Sequence, residues 1–146
     1  MTPLPEKEME FVKGALRVLV VEESASLCGR LVERLAETPS ISVVGTARNV
    51  MDAIRKVAVL QPDLVITDHE MEDGGGFALL EALRVLRQVE GSAPSIVLWT
   101  GCVDPKRTAR ARDLGVEVQF EKARELDQLI EYCRKAGCQG EDLVAR

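Results

Sequence analysis

A chain of 146 residues, 46% apolar and 29% charged, suits one globular domain that buries roughly 68–70% of its unfolded surface. Its net charge of −5 argues against a nucleic-acid binder, which usually shows a clustered basic face and a high pI. The opening residues MTPLPEKEMEFVKG have no basic start and no apolar centre, so they do not read as a signal peptide, and no apolar run approaches a bilayer span.

The four cysteines, Cys28, Cys102, Cys133 and Cys138, form no CxxC pair, and His69 is the only histidine. A zinc site is therefore not expected; reduced thiols and a cytoplasmic location are.

Residues 1–14 read as a loose arm or short helix with Phe11 and Val12 as its one apolar pair. Val18 to Val21 form a strand buried on both faces. From Ser24, a plausible cap, Leu27, Cys28, Leu31, Val32 and Leu35 recur at helical spacing until Pro39 and Ser40. Ile41–Ala47 is a second strand with Gly45 inside it. Asn49 then caps a helix with the stripe Val50, Met51, Ile54, Val57 and Ala58, which Pro62 stops. The run LVIT is the third strand, and Phe77, Leu79, Leu80, Leu83 and Leu86 give the third helix its apolar face. SIVLWT is the fourth strand, with Trp99 in the core. Asp104-Pro105 opens a helix rich in Lys106, Arg107, Arg110 and Arg112, and Gly115 ends it. VEVQF is the fifth strand; Leu126, Leu129, Ile130 and Cys133 mark a last helix that Gly137 closes. Five strand–helix alternations with short links predict an α/β fold, a doubly wound five-stranded parallel sheet with five helices. Residues 15–137 form the domain and 138–146 a tail.

In an open α/β sheet, ligands bind beyond the carboxyl ends of the strands. Strand one ends in Glu22-Glu23, strand three in Asp68, strand four in Thr100-Gly101, and strand five runs to Lys122. If strands one and three are neighbours, Glu22, Glu23 and Asp68 come close together, and like charges at that range call for a cation. Mg²⁺ suits them, since it takes carboxylate, water and phosphate oxygens. Asp68 then serves as a nucleophile towards a phosphoryl group, with Thr100 and Lys122 on the phosphoryl oxygens. The glycines 74 to 76 leave the neighbouring loop free of steric cost.

The acid pair after strand one, Asp68 followed by Met71 and Gly76, Thr100 after strand four and Lys122 after strand five resemble the receiver domain of two-component response regulators. The phrases RVLVVEES and PDLVITDHEM are similar to that family's own, and the resemblance runs from residue 16 to about 136. It implies the flavodoxin-like strand order 2-1-3-4-5. It implies that Asp68 is the phosphoacceptor and that Glu22, Glu23, Asp68 and the backbone carbonyl of Glu70 hold Mg²⁺. Thr100, Gly101 and Lys122 then bind the phosphoryl group and switch. Partners implied are a sensor histidine kinase or phosphotransfer protein and an output protein, with no direct nucleic acid, no membrane, and room for a homodimer. The partner face falls on Lys106, Arg107, Arg110 and Gln119. No catalysis is expected beyond self-phosphorylation and slow self-dephosphorylation. With no effector domain in these residues, the expectation is a stand-alone regulator similar to the chemotaxis response regulator, or a phosphotransfer intermediate.

Four positions depart from the family pattern. Glu23 replaces the usual Asp, which moves a carboxylate outward by about 1.5 Å. Ala123 replaces a Pro that follows the lysine through a cis bond. A cis bond before Ala costs about 2.5–4 kcal/mol, so a trans peptide and a less reliably aimed Lys122 are expected. Gln119 replaces a switching aromatic and Glu72 a Pro. A degenerate receiver that binds partners without phosphorylation therefore stays open beside the working one. Two other classes fit worse. Phosphatases of the haloacid dehalogenase type use DxD, where Glu70 stands here, and a flavin binder needs a phosphate loop where EESASLCGR puts two acids. Glu70 and Cys102 are candidates for tuning the lifetime of an acyl phosphate, and His69 reads as a loop residue.

Overall fold

The computed structural model describes residues 14–71, 76–101 and 103–145, with side chains up to 138. The readings made above for the N-terminal arm, Glu72, Gly74, Gly75 and Cys102 lie outside the described residues. Five strands alternate with five helices: β1 (Leu16–Val21), α1 (Ala25–Ala36), β2 (Ile41–Ala47), α2 (Val50–Leu60), β3 (Leu64–Thr67), α3 (Gly76–Glu90), β4 (Ser95–Thr100), α4 (Pro105–Asp113), β5 (Val116–Glu121) and α5 (Leu126–Ala145). The strands pair in parallel in the order β2-β1-β3-β4-β5. The predicted sheet and its order are therefore found, and β1 and β3 are neighbours.

Alternation along each strand builds two cores, one on each face of the sheet. Leu19, Val21, Val65, Ile96, Leu98 and Val116 meet the buried stripes of α2, α3 and α4. Val18, Val20, Leu64, Ile66, Val97, Trp99 and Phe120 meet α1 and α5. The three predicted caps are made: Ser24 accepts from the Leu27 N–H, Asn49 from Asp52, and Asp104 from Lys106 with Pro105 in the first turn. Gly45 sits beside a register shift, where Val18 pairs with Val43 but Leu19 with Gly45. Among the described residues, no helix is long and apolar enough to cross a membrane.

Two details differ from the sequence reading. Helix α2 buries Val50, Ala53 and Val57, while Met51 is 75% exposed and Ile54 38%. The face is rotated because the small Ala53 lets the helix seat closely on the sheet, an advantage that bulk-weighted periodicity overlooks. Helix α5 does not end at Gly137 but continues to Ala145. That glycine is a contact point: a Cβ there would stand 2.4 Å from the Ser40 carbonyl oxygen, just ahead of β2.

Gly137→Ala should therefore destabilise the protein by roughly 1–3 kcal/mol, read as a lower urea midpoint. Gly29→Ala, on α1 with nothing within 4 Å of the new methyl, should stabilise by roughly 0.5–1 kcal/mol.

Candidate functional site

The site lies where the sheet order reverses, beyond the carboxyl ends of β1 and β3. Glu22 follows β1 and is 3% exposed. Its N–H donates to the Ala47 carbonyl, and its Oε2 accepts from the Ser24 N–H at 2.9 Å. Asp68 follows β3, is 5% exposed, and takes the Glu70 N–H on Oδ1 at 3.0 Å. Between the two carboxylates stands the Lys122 ammonium, 2.6 Å from Glu22 Oε1 and 3.1 Å from Asp68 Oδ2. Burial alone would pull the Lys122 pKa down, but the hydrogen bond to Glu22 and the charge of Asp68 outweigh it and the net shift is upward.

The aim of Lys122 is better than its neighbour predicts. The peptides of the described residues are all trans, so the bond to Ala123 is too. The Lys122 N–H nonetheless donates to the Thr100 carbonyl at 2.9 Å, and β4–β5 pairing holds Thr100 opposite Glu121. The strand ladder before the lysine, not the residue after it, directs the side chain. Thr100 is fully buried, Gly101 is exposed, and the Lys122 ammonium also lies 5.4 Å from the Trp99 ring centroid.

The expected trio of carboxylates is not formed. Glu22 and Asp68 share Lys122, but among the described residues no three His, Cys, Asp or Glu side chains gather as a metal-holding group. Glu23 instead lines a neighbouring groove, and its carbonyl accepts from Arg48 Nε at 3.2 Å and from a terminal guanidinium nitrogen at 3.0 Å. One ammonium against two buried carboxylates still leaves an excess negative charge and hard oxygen donors. Mg²⁺ usually takes only one or two carboxylates and keeps several waters, so the donor set suits it.

Three of the four basic residues of α4 face the Asp68 side of the helix. Lys106, Arg107 and Arg110 line the same groove as Glu23, His69, Glu70, Met71 and Phe77, and Arg107 pairs with Glu70 at 2.7 Å. Gln119 is not among the groove's residues; its Oε1 accepts from the Thr108 hydroxyl at 3.0 Å. The four positions read as one partner face are thus engaged in two different settings.

Sequence reasoning missed two residues. Arg48 is the clamp on the acid loop, and its position just after β2, the neighbour of β1, was the available signal. His69 is the loop residue expected, but a buried one: it is 5% exposed and stacks on Phe77 at 5.4 Å with 4° between the planes. Gly76 lies against the His69 backbone so closely that a Cβ there would stand 2.3 Å from it, a place only glycine fits.

The profile of the response regulator receiver domain family matches residues 18–134. A protein-glutamate methylesterase/protein-glutamine glutaminase of Symbiobacterium thermophilum is 43% identical over 76 residues, 52% of this chain and 21% of that protein. Its counterpart in Moorella thermoacetica is 33% identical over 82% of this chain and 28% of its own length. The chain thus spans under a third of either relative. Among solved structures, the response regulator domain of Thermotoga maritima CheB aligns with TM-score 0.70 at 23% identity, covering 88% of this chain and 97% of that one. The receiver domain of the putative response regulator NarL of Mycobacterium tuberculosis aligns with TM-score 0.72 at 19% identity, covering 84% and 96%.

Lys122→Met removes the cation shared by two buried carboxylates and should cost about 3 kcal/mol at neutral pH. Because the folded pKa of Lys122 is raised, its contribution is full below the ordinary lysine value of 10.5 and is lost as pH rises beyond it. Urea titrations at a series of pH values should show the gap between wild type and variant constant through neutrality and narrowing above that point.

Proposed function

Since the chain belongs to the response regulator receiver family, we propose that Asp68 accepts a phosphoryl group from a sensor histidine kinase, a phosphotransfer protein or a small phosphodonor. The observation that carries this reading is the buried Asp68 carboxylate, oriented by the Glu70 N–H and touched by the Lys122 ammonium at the sheet's switch point. An Asp68 oxygen attacks phosphorus, the bond from phosphorus to the donor's nitrogen or oxygen breaks, and the donor leaves with that electron pair.

Lys122 neutralises the phosphoryl oxygens without needing a long approach, because it is already in place. Glu22 keeps it there, and its own backbone is fixed by Ala47. Mg²⁺, held by Asp68, Glu22 and the Glu70 carbonyl with waters completing its shell, would offset the charge that gathers on the transferring group. Arg48 fixes the loop just after Glu22 by donating to the Glu23 carbonyl.

Thr100 stands at the end of β4 with a buried hydroxyl, suited to follow the new phosphoryl oxygens inward. Output then passes to α4 and β5, where the Thr108–Gln119 hydrogen bond replaces an aromatic rotamer as the contact that can be remade. The output partner is a protein of the same cytoplasmic signalling circuit, and the methylesterase activity in the relatives' names is not assigned to these residues.

Incubation with acetyl phosphate and Mg²⁺ should add one phosphoryl group, about 80 Da by intact mass. Asp68→Asn or omission of Mg²⁺ should abolish the gain. No gain in wild type, and no change in Trp99 fluorescence with beryllofluoride, would favour the phosphorylation-independent binding module.

A further inference from the structure

Directly after Asp68 the chain buries a polar side chain that makes no hydrogen bond. The His69 side chain is fully buried, and neither ring nitrogen meets a hydrogen-bond partner among the described residues. Each nitrogen of an imidazole is a donor or an acceptor, and burying both without partners costs stability that an apolar ring would not lose. Native proteins leave few such groups, and each calls for a reason. Two contacts fix where this ring stands. Its plane lies 4° from that of Phe77 with 5.4 Å between centroids, and Phe77 is covered by the Arg110 guanidinium, 4.1 Å from its own centroid. The backbone beneath is set by Gly76, whose absent Cβ would stand 2.3 Å from it. The ring is therefore ordered in advance of any partner.

What the ring faces is the acceptor. Its Nδ1 lies 3.9 Å from Asp68 Oδ1, beyond hydrogen-bond range of the bare carboxylate. That oxygen already accepts the Glu70 N–H, and Oδ2 meets Lys122 at 3.1 Å. A phosphoryl group on Asp68 sets three strong acceptor oxygens around the carboxylate, and the gap to Nδ1 is short enough for one of them to close. We infer that His69 is a phosphoryl-binding residue, whose Nδ1–H donates to an oxygen of the acyl phosphate on Asp68. The inference rests on Asp68 being the phosphoacceptor. His69 makes and breaks no covalent bond. It adds a donor on the α3 side of the group, where Phe77 holds it, while Lys122 acts from the end of β5. Because this hydrogen bond exists only after the transfer, it favours the phosphorylated state over the free carboxylate. The orphaned nitrogen of the resting protein is a place kept for that bond.

His69 is the only histidine of the chain, so histidine-selective ¹⁵N labelling of the full chain reports on this ring alone. Beryllofluoride with Mg²⁺, standing in for the phosphoryl group, should bring out a slowly exchanging ring N–H proton that the Asp68→Asn protein does not show. Affinity for beryllofluoride, followed by the fluorescence of Trp99, supplies the second readout. His69→Phe keeps the aromatic stack without a donor and should bind about tenfold more weakly than wild type. His69→Asn returns an N–H to the place of Nδ1 and should recover most of that loss. Thermal melts establish that both variants are folded, and the labelled wild type needs no variant at all. Ring nitrogens unchanged by beryllofluoride, or His69→Phe binding within about twofold of wild type, would overturn this inference alone. A wild-type chain that takes neither a phosphoryl group from acetyl phosphate nor beryllofluoride would overturn the phosphoacceptor reading with it.

Discussion

Two carboxylates cannot be taken out of water side by side unless something positive goes with them, and here that is the ammonium of Lys122. The rest of the site follows from this constraint. Lys122 must reach both Glu22 and Asp68, so β1, β3 and β5 must end on the same edge of the sheet, as parallel pairing through β4 makes them do. Burial opposes the ion while the carboxylates favour it, and the raised pKa says which wins. A fold that aligns strand ends is thereby also a device for holding charges in a fixed relation.

The second consequence concerns where positive charge is left over. Lys122 serves the buried acids, and Arg48 is spent on a backbone carbonyl. The cations of α4 stand outside this arrangement and face the same loop from the other side. The neighbourhood of Asp68 is thus layered: acids and one ammonium within, guanidinium groups at the rim. A net charge of −5 for the chain gives no hint of this, because it averages over surfaces that never meet a common partner.

Most of the fold was legible because period-2 strands and 3.6-period helices alternate five times with recognisable caps. Asp68, Glu22, Thr100 and Lys122 were legible for a simpler reason: each follows directly on an apolar strand, so finding the strand finds the residue. The misses share a cause as well. Gly137 reads as a stop on sequence because the reason for it, the Ser40 carbonyl, lies nearly a hundred residues away in the chain. Met51 and Ile54 read as interior by size, yet the small Ala53 is the residue that α2 buries between Val50 and Val57. Glu23 was grouped with its neighbour, yet successive residues leaving a strand point to different sides. Ala123 on sequence argues against a well-aimed Lys122, a local cue that pairing between β4 and β5 overrides.

Gly76 has a further consequence for how this sequence can change with time. A methyl at that position would lie inside the backbone of His69, an obstacle that no side-chain rotamer relieves. Every substitution of this glycine therefore adds a carbon that the His69 backbone, directly after Asp68, must move to admit. Lineages that keep the backbone of His69 where it is must therefore keep the glycine, whatever happens to the surface around it.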